Sequence, residues 1–129
     1  MKVIQVAALV LEDQHKRILI GQRRQGDSNE GKWEFPGGKV ERDESFEQAL
    51  HREIREELTL ELEDISFFHE TCYQYPLIKV HIQFFYAQMK MTKELAPHAH
   101  QKLQWVSKQM LDQYDFLDAN KQVLAMIGK

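Results

Sequence analysis

One stretch of the chain constrains its fold more than any other, because a helical repeat of apolar residues follows directly after a glycine-rich turn. The apolar residues recur every four positions, so they share one face of a helix and can pack against a sheet. They are Phe46, Leu50, Ile54 and Leu58. Ser45 is placed to cap this helix, and Gln48 three residues later completes a capping-box pattern. The sequence therefore predicts an amphipathic helix that begins after Ser45 and buries its apolar stripe.

Three glutamates of this helix lie beside the apolar stripe. At about 100° of rotation per residue, Glu53, Glu56 and Glu57 fall within an arc of roughly 100°. Carboxylates this close repel one another unless a positive charge lies between them. The preceding turn, Pro36-Gly37-Gly38, lets a backbone carbonyl approach the same place. Oxygen ligands of this kind suit a hard cation, so the pattern predicts a Mg²⁺ site at which Mn²⁺ could substitute.

The spacing of these residues resembles the Nudix box of hydrolases that act on nucleoside-diphosphate-linked substrates. Gly38 is followed after five residues by Glu44, and after seven more by Arg52-Glu53-Ile54-Arg55-Glu56-Glu57. Thr59 departs from the pattern, since the family usually has glycine there and a β-branched residue resists the left-handed turn that ends such a helix. The pattern therefore does not determine the conformation at the end of the helix, whereas the carboxylate cluster before it is still predicted. The alternative, a solvated acidic helix face, does not explain the glycine-rich lead-in together with the spacing.

The resemblance implies the fold and the metal ligands. The expected fold is α+β, the Nudix α/β/α sandwich with a mixed β-sheet flanked by helices, in one domain over residues 1–129. The resemblance assigns metal binding to Glu53, Glu56, Glu57 and the carbonyl oxygen of Gly37. Glu53 is the first choice for the group that takes a proton from the attacking water.

The same resemblance implies roles for two further catalytic residues, and it shows that one carboxylate found in many family members is missing here. Arg52 is expected to orient Glu53 through a bidentate contact, and Glu44 is expected to support the ligands. Many family members add a carboxylate from the loop before a tryptophan-bearing strand, but here that place holds Ala99, between His98 and His100. Either histidine could substitute, although two histidines on a loop are more often solvated.

Within the family, the chain most resembles the MutT type, which acts on 8-oxo-dGTP. The shared segments are WEFPGGK, Tyr73-Gln74-Tyr75-Pro76 and the late residues 115–120. In this type an asparagine at the position of Asn120 reads the oxidised base. Oxidation puts a proton on guanine N7, and an amide can accept from that N7–H while it donates to O6. The alternative is that Asn120 is an ordinary polar residue in the first turn of the last helix.

Four other residues complete the expected substrate site. Lys39 and Arg23 are candidates for substrate contact, although a loop arginine is nearly as often solvated. Phe35 and Tyr75 could wall a base pocket by stacking, although aromatic residues on sheet segments are equally often core.

The predicted activity is that of a Mg²⁺-dependent nucleoside triphosphate pyrophosphohydrolase that releases a nucleoside monophosphate and pyrophosphate, with 8-oxo-dGTP preferred. One rival is the same reaction on CTP or a methylated cytidine triphosphate, because that branch shares the ALHREIREEL-type helix and a His-x-His-Gln loop resembling residues 98–101. A rival of another class is a non-catalytic nucleotide-binding module, suggested by Thr59 and Ala99 but opposed by the intact acidic cluster.

Charge and composition narrow the expected partners. The formal net charge is −3, and the segment from 38 to 60 accounts for all of it with seven acidic and four basic residues. No basic stripe of the kind that binds nucleic acid is present, so the expected partner is a small nucleotide substrate. The apolar runs are too short to span a membrane, and the lone Cys72 fits a reducing cytoplasm. We expect a monomer, with a dimer as the alternative.

The remaining patterns predict the other elements. Strands are expected at 1–11 and 17–22 as a hairpin, then at 33–35, 61–71, 72–75, 78–86 and 103–106, with polar loops at 23–32 and 92–101. Ser107 is expected to cap a short helix that runs through Leu111. Asp118 is expected to cap a final helix that ends at Gly128.

Overall fold

The computed structural model describes residues 2–90 and 94–128. Within these ranges, seven strands form one mixed sheet: β1 (Lys2–Glu12), β2 (Arg17–Gln22), β3 (Trp33–Glu34), β4 (Gly37–Lys39), β5 (Ser66–Gln74), β6 (Ile78–Gln88) and β7 (Lys102–Ser107). The helices are α1 (Phe46–Leu58), a 3₁₀ helix (Lys108–Gln113) and α2 (Asp118–Ile127). The α+β expectation, a mixed sheet flanked by helices, is confirmed.

Strand β1 is the centre of the sheet, and both of its faces are covered. Alternate side chains of a strand point to opposite faces, and Ala8 and Val10 pack with α2 while Ala7, Leu9 and Leu11 pack with α1. The core on the α2 side includes the following buried residues: Ile18, Ile20, Phe35, Ile82, Phe84, Val106, Phe116, Ala119, Val123 and Ile127. The core on the α1 side includes these: Leu19, Ala49, Leu50, Ile54, Leu58, Phe85 and Ala87. The apolar stripe predicted for α1 is therefore the face that packs on the sheet.

The predicted hairpin of the first two strands is wrong over most of its length. Strand β1 pairs with β2 only at Glu12 and Ile18, whereas it runs parallel to β6 from Lys2 to Glu12. Its other edge is taken by β4, where Ala7 lies opposite Gly38. The glycines that were expected to form only a turn thus belong to a strand. Glycine is needed at position 37 because a Cβ there would lie 2.1 Å from the carbonyl oxygen of Ala7, too close for any side chain.

The start and the end of α1 follow from its capping residues. The Ser45 hydroxyl accepts a hydrogen bond from the Gln48 N–H at 3.0 Å, and the Gln48 side chain accepts one from the Ser45 N–H at 2.8 Å, which confirms the predicted capping box. At the exit Thr59 adopts the left-handed conformation, with φ 53° and ψ 44°, and its N–H bonds to the Arg55 carbonyl. Thr59 therefore takes the backbone path of the glycine that the pattern leads one to expect.

Several element boundaries differ from the sequence expectations. Residues 61–65 are irregular, and the strand over 66–74 is continuous except for a bulge between Phe67 and His69. The Ser107 side chain makes no capping bond, and the helix after it is a 3₁₀ helix. Helix α2 is capped by Leu117, because Asp118 is already helical and its carboxylate pairs with Lys121 at 2.9 Å.

The other elements agree with the patterns. Residues 23–32 and 94–101 contain no helix or strand, and 91–93 of the predicted polar loop lie outside the described residues. None of the helices within 2–90 and 94–128 combines the length and apolar character that a membrane-spanning helix needs.

Candidate active site

An arginine network fixes the acidic face of α1. Arg52 donates from Nε and Nη2 to the two oxygens of Glu44, at 2.7 and 2.9 Å, and from Nη1 to Glu53 at 2.6 Å. Nη2 also donates to the Lys39 carbonyl at 2.9 Å. The bidentate contact predicted for Glu53 is therefore made with Glu44. Glu53 occupies the neighbouring helical position and makes a single bond to one arm of the guanidinium.

The same network keeps Glu44 ionised. The hydrogen bonds from Arg52, followed by the bond from the Glu41 N–H, lower the pKa of Glu44 to about 2. A carboxylate that stays charged can hold Arg52 in place at any ordinary pH, which agrees with the supporting role predicted for Glu44.

Gly38 makes room for the Glu53 carboxylate. A Cβ built on Gly38 would lie 2.3 Å from the carboxyl carbon of Glu53 and 2.3 Å from its Oε2. The Glu53 side chain thus rests directly on the backbone of β4. This close approach gives a physical reason for glycine at this position, since any side chain would displace the carboxylate.

Glu57 is the most strongly perturbed carboxyl group of the cluster. Only 6% of the residue is exposed. Burial, then a hydrogen bond with Glu53 and the negative charges of Glu53 and Glu34, raise the pKa of Glu57 to about 9, while a bond from the Gly37 N–H acts in the opposite direction. Glu57 is thus the buried carboxyl group of the cluster that favours its protonated form, because two negative charges cannot lie so close without a cation.

The donor chemistry of this cluster fits a hard divalent ion. Across 2–90 and 94–128, no three histidine, cysteine, aspartate or glutamate side chains converge closely enough to coordinate a metal ion in their present conformations. Glu53 and Glu57 nevertheless supply oxygen donors at a place where a divalent cation would offset the repulsion between two carboxylates. Glu56, whose side chain is 60% exposed, lines the same pocket.

The structure places a histidine and a glutamate in this pocket that the sequence analysis did not position. His100 is only 3% exposed, and its Nε2 lies 2.8 Å from Oε2 of Glu34. Its Nδ1 lies 3.9 Å from Oε1 of Glu57. The expectation of two solvated histidines is therefore wrong for His100, whereas His98 is exposed.

A glycine in strand β2 is the feature of the sequence that could have indicated the buried position of His100. A Cβ on Gly21 would lie 2.6 to 2.8 Å from three atoms of the His100 ring, so the ring packs flat against that glycine. A glycine inside a strand often marks such a close approach. Glu34 belongs to the WEFPGGK segment, but the pattern alone gives it no role.

The loop that carries His100 is anchored to the end of β2. The Gln101 N–H donates to the Gln22 carbonyl at 3.0 Å, and the Gln101 side chain donates to the Arg23 carbonyl at 2.7 Å. Arg24 donates to the His98 carbonyl at 2.7 Å. These bonds hold residues 98–101 against the carboxylate pocket, which Ala99 lines without contributing a polar side chain.

A second cavity adjoins the carboxylate pocket, and its lining contains all the residues predicted to bind substrate. They are Arg23, Phe35, Lys39, Tyr75 and Asn120. The floor is apolar and comes from β1 and β6, including Ile4, Val6, Val80 and Ile82. Arg23, Glu34 and Gly37 line both cavities, so the two lie side by side.

Within this second cavity, Phe35 and Asn120 are linked. Phe35 is 3% exposed and stacks on Phe116 with ring centroids 5.3 Å apart, so it is a core residue that also lines the cavity. The Asn120 side-chain oxygen accepts a hydrogen bond from the Phe35 N–H at 3.0 Å. Arg23 donates to the Ser28 carbonyl at 2.7 Å and to Glu34 at 3.2 Å.

Comparison with known proteins agrees with this geometry. The NUDIX domain family model matches residues 1–126. The 8-oxo-dGTP diphosphatase of Haemophilus influenzae is 33% identical over 123 residues, which cover 95% of this chain and 90% of that protein. The CTP pyrophosphohydrolase of Escherichia coli is 38% identical over 122 residues, covering 93% and 87%.

A solved structure supports the same assignment. One from a study of MutT from Aliivibrio salmonicida and Vibrio cholerae superposes with a TM-score of 0.81 at 28% identity, and the match covers 98% of each chain. The glycine turn, the acidic helix face and the shared sheet topology thus have one explanation: this chain belongs to the NUDIX domain family and is a hydrolase of phosphoanhydride bonds.

Proposed function

We propose that this protein is a Mg²⁺-dependent nucleoside triphosphate pyrophosphohydrolase that prefers 8-oxo-dGTP and releases 8-oxo-dGMP and pyrophosphate. The observation that carries the proposal is that the acidic pocket adjoins an apolar cavity, with Arg23, Glu34 and Gly37 lining both. A nucleotide can therefore place its phosphates at the carboxylates while its base lies on the β1 and β6 side chains.

The residues of the acidic pocket have different roles in the proposed hydrolysis. Glu53, Glu56, Glu57 and the carbonyl of Gly37 would hold Mg²⁺, which supplies charge neutralisation of the triphosphate and alignment of the reactants. Water attacks phosphorus, the P–O bond of the bridge between the α- and β-phosphates breaks, and Glu53 accepts the proton of the water. Arg52 fixes Glu53 during this step through its 2.6 Å bond.

The nucleotide-facing side supports recognition of an oxidised purine. Because the Phe35 N–H fixes the Asn120 oxygen, the amide nitrogen is the donor left for O6 of guanine. The carbonyl oxygen keeps a second lone pair, which can accept the N7–H that only the oxidised base carries. Lys39 and Arg23 line the same cavity and offer positive charge to the phosphates, and Tyr75 offers a ring for stacking.

The same reaction on a cytidine triphosphate is the second candidate. The similarity to the E. coli CTP pyrophosphohydrolase supports it, with 38% identity over 93% of this chain. The His-x-His-Gln loop that suggested this branch contains His100, which the structure buries in the acidic pocket.

A substrate panel with Mg²⁺ separates these candidates. We would measure kcat/KM for 8-oxo-dGTP, dGTP, CTP, dCTP and 5-methyl-dCTP, and identify pyrophosphate as a product. We expect 8-oxo-dGTP to exceed dGTP by roughly 100-fold, since a buried polar site rejects a base that leaves it unpaired. A higher value for CTP than for 8-oxo-dGTP would make the substrate assignment wrong.

The glutamate variant tests catalysis itself. Glu53→Gln removes one charge while it keeps the size of the side chain, and we expect it to bind nucleotide but release no pyrophosphate above background. Nucleotide binding by the parent protein without any hydrolysis would instead support a non-catalytic module. A cytoplasmic location, a monomeric state and the lack of stable nucleic-acid binding stay predictions from the sequence.

A further inference from the structure

We propose that His100 supplies a nitrogen ligand to a divalent metal ion that it shares with Glu57. The inference rests on the metal site of the proposed function and adds to it an imidazole ligand from the loop on which Ala99 offers no carboxylate. The ion at this position is then bound by nitrogen and oxygen together.

The first argument is the protonation of the imidazole ring. Glu34 accepts a hydrogen bond from Arg23 through Oε1, and its Oε2 lies 2.8 Å from Nε2 of His100. An ionised carboxylate can only accept, so Nε2 carries the hydrogen. In the neutral ring, Nδ1 is then left with its lone pair available for a ligand.

The second argument is that this lone pair is buried and unused. Nδ1 of His100 has no hydrogen-bond partner within 2–90 and 94–128 and is shielded from solvent. Leaving a polar atom buried and unpaired is unfavourable, and in native proteins it usually indicates a functional constraint or a place that an ion or a water occupies. A metal ion beside Nδ1 would satisfy that lone pair.

The third argument is distance. Nδ1 lies 3.9 Å from Oε1 of Glu57, and Glu57 is itself 6% exposed. Nitrogen and oxygen ligands bind divalent metals at about 2.1 Å, so two ligands of one ion lie roughly 3 to 4 Å apart. Further oxygen ligands are near, because Glu53 and Glu56 line the same pocket.

The fourth argument is that the ring is held in place from two sides. Gly21 packs against one face, and Glu34 binds the nitrogen remote from Glu57. Metal-binding histidines usually donate their other N–H to a carboxylate in this way, which fixes the ring and raises its basicity. Glu34 is accordingly a positioning residue for His100.

A nitrogen ligand changes which metal the site prefers. Imidazole suits transition-metal ions such as Zn²⁺, whereas Mg²⁺ prefers oxygen ligands alone. We therefore expect His100→Gln to weaken Mn²⁺ binding by roughly 10-fold or more, in line with the usual effect of disturbing a metal site. The affinity for Mg²⁺ should change much less.

The experiment is electron spin-echo envelope modulation on the full chain loaded with one Mn²⁺ per protein, without nucleotide. Directly bound ¹⁴N produces modulation that an all-oxygen site lacks. We expect the modulation in the parent protein, its loss in His100→Gln and its retention in His98→Gln. His98 is the matched control, because it lies on the same loop and lines the same pocket but is exposed.

The outcomes separate this inference from the proposed function. Bound Mn²⁺ without ¹⁴N modulation in the parent protein overturns the histidine ligand and leaves the carboxylate site intact. Modulation that persists in His100→Gln, or disappears in His98→Gln, also overturns it. Failure of both Mn²⁺ and Mg²⁺ to bind overturns the metal-dependent function together with this inference. If His100→Gln does not fold, the parent and His98→Gln spectra together decide, because modulation that survives in His98→Gln excludes His98 as its source.

Discussion

The side-chain oxygen of Asn120 accepts a hydrogen bond from the backbone N–H of Phe35, 3.0 Å away and 85 positions earlier in the chain. This bond ties the first turn of α2 to the strand that leads into the glycine turn. It also settles the orientation of the amide, since the NH₂ group cannot face another donor. The proposed base recognition is then left with the amide nitrogen as a donor and with the second lone pair of the oxygen as an acceptor.

Two substitutions at this position separate structure from recognition. Asn120→Asp keeps an acceptor for the Phe35 N–H but removes the donor to O6, which both bases carry, so we expect kcat/KM to fall by about 10-fold or more for 8-oxo-dGTP and dGTP alike. Asn120→Ala loses the acceptor too and should also lower the free energy of unfolding by about 1–3 kcal/mol. Steady-state kinetics and urea unfolding measure the two effects. An unchanged base preference in Asn120→Ala would remove this residue from recognition.

Adjacent glycines should respond differently to the same substitution. In Gly38→Ala the new methyl group meets the Glu53 carboxylate, the far end of a flexible side chain, so the protein should fold while activity falls by about 100-fold. In Gly37→Ala the methyl group meets the backbone of Ala7 at 2.1 Å, at a residue with φ of 151°.

The second variant is therefore expected to lose stability, by roughly 3 kcal/mol. Thermal unfolding and pyrophosphate release, measured on both proteins, check the contrast. Equal losses of stability in the two variants would contradict the explanation given for Gly38.

Replacing Arg52 should affect both activity and acid stability. Arg52→Lys cannot reproduce the bidentate bond to Glu44, so we expect kcat to fall by about 10-fold to 100-fold. Because the pKa of Glu44 lies at about 2 in the folded protein and at 4.5 ordinarily, its contribution to stability is present above pH 4.5 and lost as pH falls toward 2.

In Arg52→Lys, the pKa of Glu44 should return toward its ordinary value, so that part of the acid dependence should shrink. Melting temperatures from pH 2 to 7 measure it. Arg55→Lys is the matched control, because Arg55 lies on the same helix as Arg52 and pairs with the exposed Glu61 beyond the end of that helix. A similar loss of activity in both variants would argue against a specific role for Arg52.

Glu57 should make the metal-free protein less stable as the pH rises. Its pKa is about 9 when folded and 4.5 ordinarily, so the folded state holds a proton that the unfolded state releases between these values. The stability present below pH 4.5 is therefore lost progressively as the pH rises toward 9. Glu57→Gln removes the titrating group and should flatten this dependence.

Urea unfolding in EDTA from pH 5 to 9 measures the effect. Added Mg²⁺ should restore stability to the parent protein at pH 8 but have less effect on the Glu57→Gln variant. Parallel pH profiles for the two proteins in EDTA would show that Glu57 is not the responsible group.

Replacing Thr59 should raise the stability of the folded protein without changing the active site. A non-glycine residue in the left-handed conformation is strained, and Thr59 has φ of 53°. Thr59→Gly should therefore raise the free energy of unfolding by about 1 kcal/mol, with kcat unchanged. Thr59→Ala, which removes the β-branching but keeps a side chain, should gain less. A loss of stability in Thr59→Gly would show that the threonine side chain compensates for the strain.

The features that depend on local chemistry could be predicted from the amino-acid sequence alone. The apolar repeat from Phe46 to Leu58 and the pair Ser45 and Gln48 predicted α1 and its capping box, because both patterns act within one or two turns of chain. The spacing from Gly38 to Glu57 likewise predicted an acidic helix face with a glycine turn beside it.

The contacts between segments that are distant in the sequence became known only from the tertiary structure. Strand β1 pairs with β6 rather than along β2, and periodicity carries no information about such a partner. His100 is buried against Gly21 and Glu34 because separate loops and strands converge there, so a loop histidine that was expected to be solvated becomes part of the acidic pocket. The physical reason is that burial and pairing depend on three-dimensional neighbours, whereas helix periodicity and capping depend on neighbours along the chain.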